Sequence, residues 1–332
     1  MLNTSLSHRT AHNESPLSRE HNPWPLRGTY TALVTPFREA KSGTEIDYPA
    51  LERLIGQQVR YRCGIVLLGT TGESPTIEPE EREGITAFCR HETAGLIPLI
   101  VGTGTNSTRE TVLRTKQARD QGADAALVVT PYYNKPTQTG LRKHFEAVAN
   151  AVTDLSSILY DVPGRCGTGM TAETVLELSQ HPNIIGLKWA SGDSAQLRQI
   201  VRQARPDFSV LSGDDNRTHE AMQEGVCGII SVLSNLLPAD VRELVDCHLR
   251  AQEEHRDSDR MLCRAATVHE QLLPLMQGCF LQSNPLPIKT ALAVRGDIQE
   301  VFRLPLCPMD PEPRTQWINL LECKGALSPV HA

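Results

Sequence analysis

From Thr29 onward the chain repeats one unit: a short apolar run rich in β-branched residues, a polar or glycine-bearing loop, then an amphipathic stretch. The runs are YTALVTP (30–36), GIVLLG (64–69), IPLIVG (97–102) and AALVVTP (125–131). They continue as SSILYDVP (156–163), IIGLKWA (184–190), FSVLSG (208–213) and GIISVLS (228–234). Runs that are apolar almost throughout, rather than alternating, mark strands of a parallel sheet covered on both faces. The intervening helices carry start signals. STRE (107–110) has the form of a capping box, Ser107 with Glu110, and Pro79 stands near the start of EPEEREGITAFCR (78–90). Eight such units over residues 28–250 predict an α/β fold, the (β/α)8 TIM barrel. A doubly wound open sheet is the alternative, but the chain carries no dinucleotide fingerprint.

After about residue 250 the strand pattern stops. Residues 251–280 and 284–296 read as helices, RLPLCPMDPEP (303–313) as a proline-rich turn, and RTQWINLLECKGAL (314–327) as a last amphipathic helix. A C-terminal helical appendage over 251–332 is therefore expected. Residues 1–27 are rich in Ser, His, Asn and Pro, lack apolar periodicity and lack the hydrophobic core of a secretory signal, so they read as a disordered arm or a cleaved leader.

Composition narrows the function classes. The 332 residues carry a formal charge of −6, which leaves no basic footprint for nucleic acid. No apolar run reaches the ~18 residues that would span a bilayer. Nine cysteines, none in a CxxC pair, fit reduced thiols better than a disulfide framework. Eleven histidines without an HExxH give no metal site, and no cofactor motif is present.

In barrels the chemistry gathers where strands end. Those ends read GTTGES (69–74), GTGTNST (102–108), TPYYNKP (130–136), YDVPGRCG (160–167), Lys188, SGDD (212–215) and Ser231. The reactive side chains among them are Thr70, Thr71, Tyr132, Tyr133, Tyr160, Arg165 and Lys188. Taken singly, each has a plain structural reading: a helix N-cap, core or interface packing, a surface turn, a solvated lysine. GTGTNST lacks the third glycine and the lysine of a phosphate loop, so helix capping is its default role. Together they suggest more. A lysine amine ordinarily titrates near ~10.4, so about one in 2,500 is neutral at pH 7, and an apolar barrel mouth disfavours the charged form. A neutral amine there adds to a ketone and forms a Schiff base. Tyr160, on the neighbouring strand end, is placed to move the proton. GTTGES offers N–H groups and hydroxyls to a carboxylate, and Arg165 could hold a second one bidentately.

The ordered set GTTGES, TPYYNKP, YDVPGR, GLKWASGD, LSGDD, GIISV and NPLPIK resembles the dihydrodipicolinate synthase family of pyruvate-dependent Schiff-base aldolases, from about Gly28 to about Leu327. The resemblance implies a lyase of the diaminopimelate route to lysine. It would condense pyruvate with L-aspartate 4-semialdehyde without a cofactor or metal. It assigns the imine to Lys188 and a proton relay to Tyr160, Thr70 and Tyr133, with Tyr133 reaching into a neighbouring subunit. Thr71 would hold the pyruvate carboxylate, Arg165 the semialdehyde carboxylate, and Gly213 and Ile230 would line the pocket through their backbones. It further implies a homotetramer built from two tight dimers, no nucleic-acid or membrane partner, and a cytoplasmic location, or a plastid if residues 1–27 are a transit peptide.

This chain departs from the family pattern in places. Trp189 follows the lysine where an acidic residue is common, a change expected to alter packing behind the lysine. Asp161 and Cys166 stand where Asn and Thr are frequent. Ser74, Asn106, Glu110 and Tyr132 match the family's lysine-inhibitor site, together with Pro75. Pro79 and Arg82 replace two histidines, and an added arginine would repel a cationic ligand, so weak or absent inhibition by lysine is expected. Another Schiff-base aldolase of sugar-acid or hydroxy-oxoglutarate type is an alternative that Arg165 disfavours. A non-catalytic keto-acid-binding barrel would need a broken Lys/Tyr/Thr set, and all three residue types are present.

Overall fold

The structure is a computed structural model that describes residues 26–41, 43–253 and 257–328. The arm expected over 1–27 lies outside these residues except for Leu26 and Arg27. The chain runs β1 (Gly28–Ala32), β2 (Phe37–Ala40), β3 (Gly43–Ile46), α1 (Tyr48–Arg60), β4 (Gly64–Leu67), α2 (Pro79–Thr93), β5 (Leu99–Gly102), α3 (Thr108–Asp120), β6 (Ala125–Val129) and α4 (Gln138–Ala151). It continues with β7 (Ser156–Asp161), α5 (Pro163–Cys166), α6 (Ala172–Ser179), β8 (Ile184–Trp189), α7 (Ser194–Gln203), β9 (Ser209–Ser212), α8 (Thr218–Gln223) and β10 (Gly228–Ser231). Then follow α9 (Pro238–Glu253), α10 (Ser258–Gly278), α11 (Leu286–Arg295) and α12 (Pro311–Cys323).

All eight apolar runs form strands, and these strands close into one parallel barrel in the order β1-β10-β9-β8-β7-β6-β5-β4. Closure decides against the open sheet. Asn235 seals the seam between the first and last strands: its Oδ1 accepts from Val34 N–H at 3.0 Å, and its Nδ2 donates to Ala32 O at 2.8 Å. One apolar cluster fills the barrel, including Tyr30, Val66, Ile100, Ile158, Tyr160, Leu211 and Ile230. A larger one lies between the strands and the helices. Being apolar on both faces is what lets each strand serve two cores.

The helices follow ordinary rules. In α1, Asp47 caps the start by accepting from Ala50 N–H at 3.1 Å. Leu51, Leu54, Ile55 and Gln58, one stripe at helical spacing, are buried. Pro79 is the first residue of α2, as expected, and the Glu81 carboxylate accepts from Glu78 N–H at 3.0 Å. Only half of the box expected at α3 forms. Ser107 Oγ accepts from Glu110 N–H, but Ser107 N–H donates to Thr105 and Glu110 pairs with Arg114 at 2.7 Å. In the loop before α3, Thr105 N–H donates to Thr111 Oγ1 at 3.0 Å, which ties the loop to the first turn of the helix.

Two features go beyond the sequence reading. β2 and β3 form an antiparallel hairpin, and Ala251–Glu253, taken there as the start of a C-terminal helix, complete α9 instead. Among the described residues no helix is long and apolar enough to cross a membrane.

Candidate active site

Lys188 lies on β8, where strict alternation would have turned it the wrong way. Ile184 packs in the outer cluster and Ile185 in the inner one, so an undisturbed period of two would place Lys188 outside. The β7–β8 register shifts instead: Ser157 pairs with Ile184, but Ile158 pairs with Gly186. One extra residue, Ile185, is thereby absorbed, and every later side chain changes face. Leu187 and Trp189 then join the outer cluster, and Lys188 turns inward. Gly186 permits the bulge, since a Cβ there would lie 2.5 Å from Ser209 O.

Lys188 is 6% exposed, and its Nζ lies 4.3 Å from the ring centroid of Tyr160, its register partner on β7. The amine borders a small cavity of about 60 Å³ that Thr70, Thr71, Tyr160, Arg165 and Gly213 also line. Gly213 is needed there, because a Cβ would come within 3.0 Å of Lys188 Cε and 2.9 Å of Ala190 Cβ. Asp214 shares the wall. Burial pushes its carboxyl up from the usual range, while the Lys188 and Arg217 charges pull it back. Its neighbour Asp215 is structural, accepting from the Ser231 hydroxyl and from Val232 N–H. Ile230 is fully buried inside the barrel and is not among the lining residues.

Outward from this cavity runs a cleft of about 320 Å³ bordered by Thr70, Ser74, Tyr132, Tyr160, Arg165 and Asn284. Arg165 is presented by the single turn α5, and its Nη2 donates to Asn284 O at 3.2 Å. Asn284 Nδ2 in turn donates to Thr71 Oγ1 at 3.0 Å. Asn284 thus links two predicted substrate residues, a role the sequence reading missed although it singled out NPLPIK. Tyr133 borders neither cavity: it is 88% exposed at a left-handed φ of 72°. A larger groove of about 610 Å³ lies elsewhere, lined by Arg242 and Arg264 among others, but these arginines are paired with Asp246 and Glu243. Size does not locate the chemistry.

Behind the lysine, Trp189 is 1% exposed, with the Arg217 guanidinium 5.4 Å from its ring, so it does pack in the outer core. Of the residues matching the inhibitor site, Ser74 and Tyr132 border the outer cleft. Glu110 is paired with Arg114, and Asn106 O accepts from Asn134 Nδ2. Arg82 is buried, donating to Ser74 Oγ at 2.9 Å and Gly102 O at 2.6 Å. Burial, then the nearby Arg114 charge, lowers its pKa to about 10.

A parallel barrel that turns one buried lysine into its mouth, against a tyrosine and a hydroxyl-rich loop, defines a class: barrels equipped for carbonyl chemistry at an amine. Within that class the chain belongs to the dihydrodipicolinate synthetase family, whose sequence model matches residues 25–324. It is 40% identical to the 4-hydroxy-tetrahydrodipicolinate synthase of Thermodesulfovibrio yellowstonii, over 91% of this chain and 99% of that one. The crystal structure of dihydrodipicolinate synthase from Aquifex aeolicus superposes with a TM-score of 0.85 at 39% identity, covering 91% and 99% of the two chains. The enzyme from Cyanidioschyzon merolae, solved with lysine bound, gives 0.84 at 36% identity, covering 90% and 98%.

Proposed function

We propose that the chain condenses pyruvate with L-aspartate 4-semialdehyde to 4-hydroxy-tetrahydrodipicolinate, acting as a lyase on the diaminopimelate route to lysine. The observation that carries this is Lys188, turned inward by the β8 bulge onto the Tyr160 ring and a cavity of keto-acid size. The neutral amine adds to C2 of pyruvate and water leaves, giving an imine. A methyl proton then departs from C3, and the enamine carbon attacks the semialdehyde carbonyl. The semialdehyde's amine closes onto C2 and releases Lys188.

In this reading Tyr160 and Thr70 carry protons within the chain, and Tyr133 completes the relay from a neighbouring subunit. The outward position of Tyr133, which leaves it off both cavities of its own chain, supports that assignment. Thr71 and the loop amides hold the pyruvate carboxylate, Arg165 takes the carboxylate of the semialdehyde, and Gly213 keeps the space beside Lys188 open. Ile230 contributes as a wall of the barrel interior. The assembly is a homotetramer of two tight dimers, in the cytoplasm. Incubation with pyruvate and borohydride, followed by peptide mass mapping, should place one reduced adduct on Lys188. Its absence overturns the mechanism.

Ser74, Asn106, Glu110 and Tyr132 form the remnant of a lysine-inhibitor site. Arg82 already occupies Ser74 with a cation, so inhibition by lysine is weak or absent. Half-inhibition at sub-millimolar lysine in a turnover assay would contradict this.

A further inference from the structure

The loop 69–74 is gripped from behind by a second buried lysine. Glu73 follows Thr70 and Thr71, is 1% exposed, and adopts the left-handed conformation (φ 53°, ψ 37°), which L side chains avoid unless their surroundings over-determine them. Those surroundings are charged. Lys289 Nζ of α11 donates to Glu73 Oε1 at 2.5 Å and to Val301 O at 2.7 Å. It lies 4.4 Å from the Phe37 ring centroid and 4.7 Å from that of Phe302, and it is fully buried. The other Glu73 oxygen, Oε2, accepts from Arg303 N–H at 3.3 Å. The Arg303 guanidinium in turn bonds both oxygens of Glu81, at 2.5 and 2.6 Å, and reaches Thr76 O and Thr44. Two carboxylates and two cations thus balance, with the Glu73–Lys289 pair fully buried and the Arg303–Glu81 pair partly exposed at its edge.

The same segment holds the loop at a second point, through Asn284 on Thr71. NPLPIK therefore attaches to adjacent parts of GTTGES with its first and last residues. A rigid mount matters because a donor set misplaced by a fraction of an ångström loses much of its effect.

We propose that Glu73 and Lys289 are a positioning pair: their buried contact fixes the turn that presents Thr70 and Thr71, and so sets how tightly the site holds the keto acid's carboxylate. Both side chains are fully buried, so the pair acts through the loop it holds. The inference rests on the reading of loop 69–74 as the carboxylate cradle.

Removing one partner would strand a buried charge and endanger folding, so the test removes both. Glu73→Gln/Lys289→Met keeps volume and eliminates both charges, an exchange that stability often tolerates. Borohydride trapping is titrated with pyruvate and read beside melting temperature and turnover. In the double variant the half-saturating pyruvate should rise about tenfold or more, with maximal adduct and kcat within about threefold of the unmodified protein, the signature of lost binding rather than lost chemistry. Glu73→Asp is the second variant. It keeps both charges but shortens the arm by one methylene, and a smaller rise is expected.

A folded double variant, or a folded Glu73→Asp, with unchanged half-saturation overturns the proposal. So does a parallel fall of kcat and adduct with melting temperature and no change in half-saturation, since that marks a merely structural pair. No adduct on Lys188 even in the unmodified protein would instead sink the reaction assigned to the site.

Discussion

Two buried lysines stand beside the same loop and differ in what surrounds the amine. Lys289 is fully enclosed, with a carboxylate, a carbonyl and two aromatic rings around its Nζ. Burial pushes its pKa down from 10.5 to about 8, against the pull of Glu73. Judged on basicity alone, Lys289 qualifies as a nucleophile at neutral pH. Lys188 has a tyrosine ring beside it and a cavity in front of it. What separates structural from reactive here is space for a carbonyl carbon to approach. Depressed basicity is a weak signal by itself, because burial depresses it in a purely structural pair too.

The largest expected effect tests that distinction. Lys188→Met should lower turnover on the order of 10³-fold or more, because the covalent route is gone and only binding contributions remain. It should also abolish the borohydride adduct, although Lys289 is still present with its lowered pKa. An adduct mapping to Lys289 in that variant would break the comparison. It would show that the closed side of the loop opens to small keto acids.

The barrel was legible in the sequence because its strands are apolar along their whole length, and that pattern survives without knowledge of neighbours. The hairpin was not, since FREA and GTEI have no apolar alternation to reveal it. Lys188 was placed correctly at a strand end, but its facing depends on a one-residue register shift against Ser157 and Ile158. Periodicity cannot show such a shift, and Gly186 was the only local hint. The GTTGES and NPLPIK motifs were visible, yet their coupling was not: Glu73 and Lys289 are 216 residues apart, and no spacing rule connects them. Asn284 escaped for the same reason. Capping at Ser107 was half right because a nearby threonine competed for the same N–H.

A third buried charge extends the comparison to a group held without a cation, and gives the smallest effect. Asp161 follows Tyr160 on β7, and its Oδ1 accepts from Met170 N–H at 3.0 Å and from the Thr130 hydroxyl at 3.3 Å. Burial raises its pKa from 3.8 to about 6, and these two donors only partly offset it. A folded-state pKa above the unfolded value means that the native protein binds the extra proton between roughly pH 4 and pH 6. Its contribution to stability is therefore full below about pH 4 and is lost as pH rises through about 6. At pH 7.5 the buried carboxylate is a net cost, on the order of 3 kcal/mol for a shift of this size. Asp161→Asn keeps the accepting oxygen and removes the charge, so it should raise the urea midpoint at pH 7.5. Its new amide needs an acceptor, which trims the gain. Near pH 4 the two proteins should unfold alike. Equal stability at both pH values would mean that the carboxylate is as well served by an amide and a hydroxyl as Glu73 is by Lys289, and that the contrast between paired and unpaired burial does not hold on this side of the barrel.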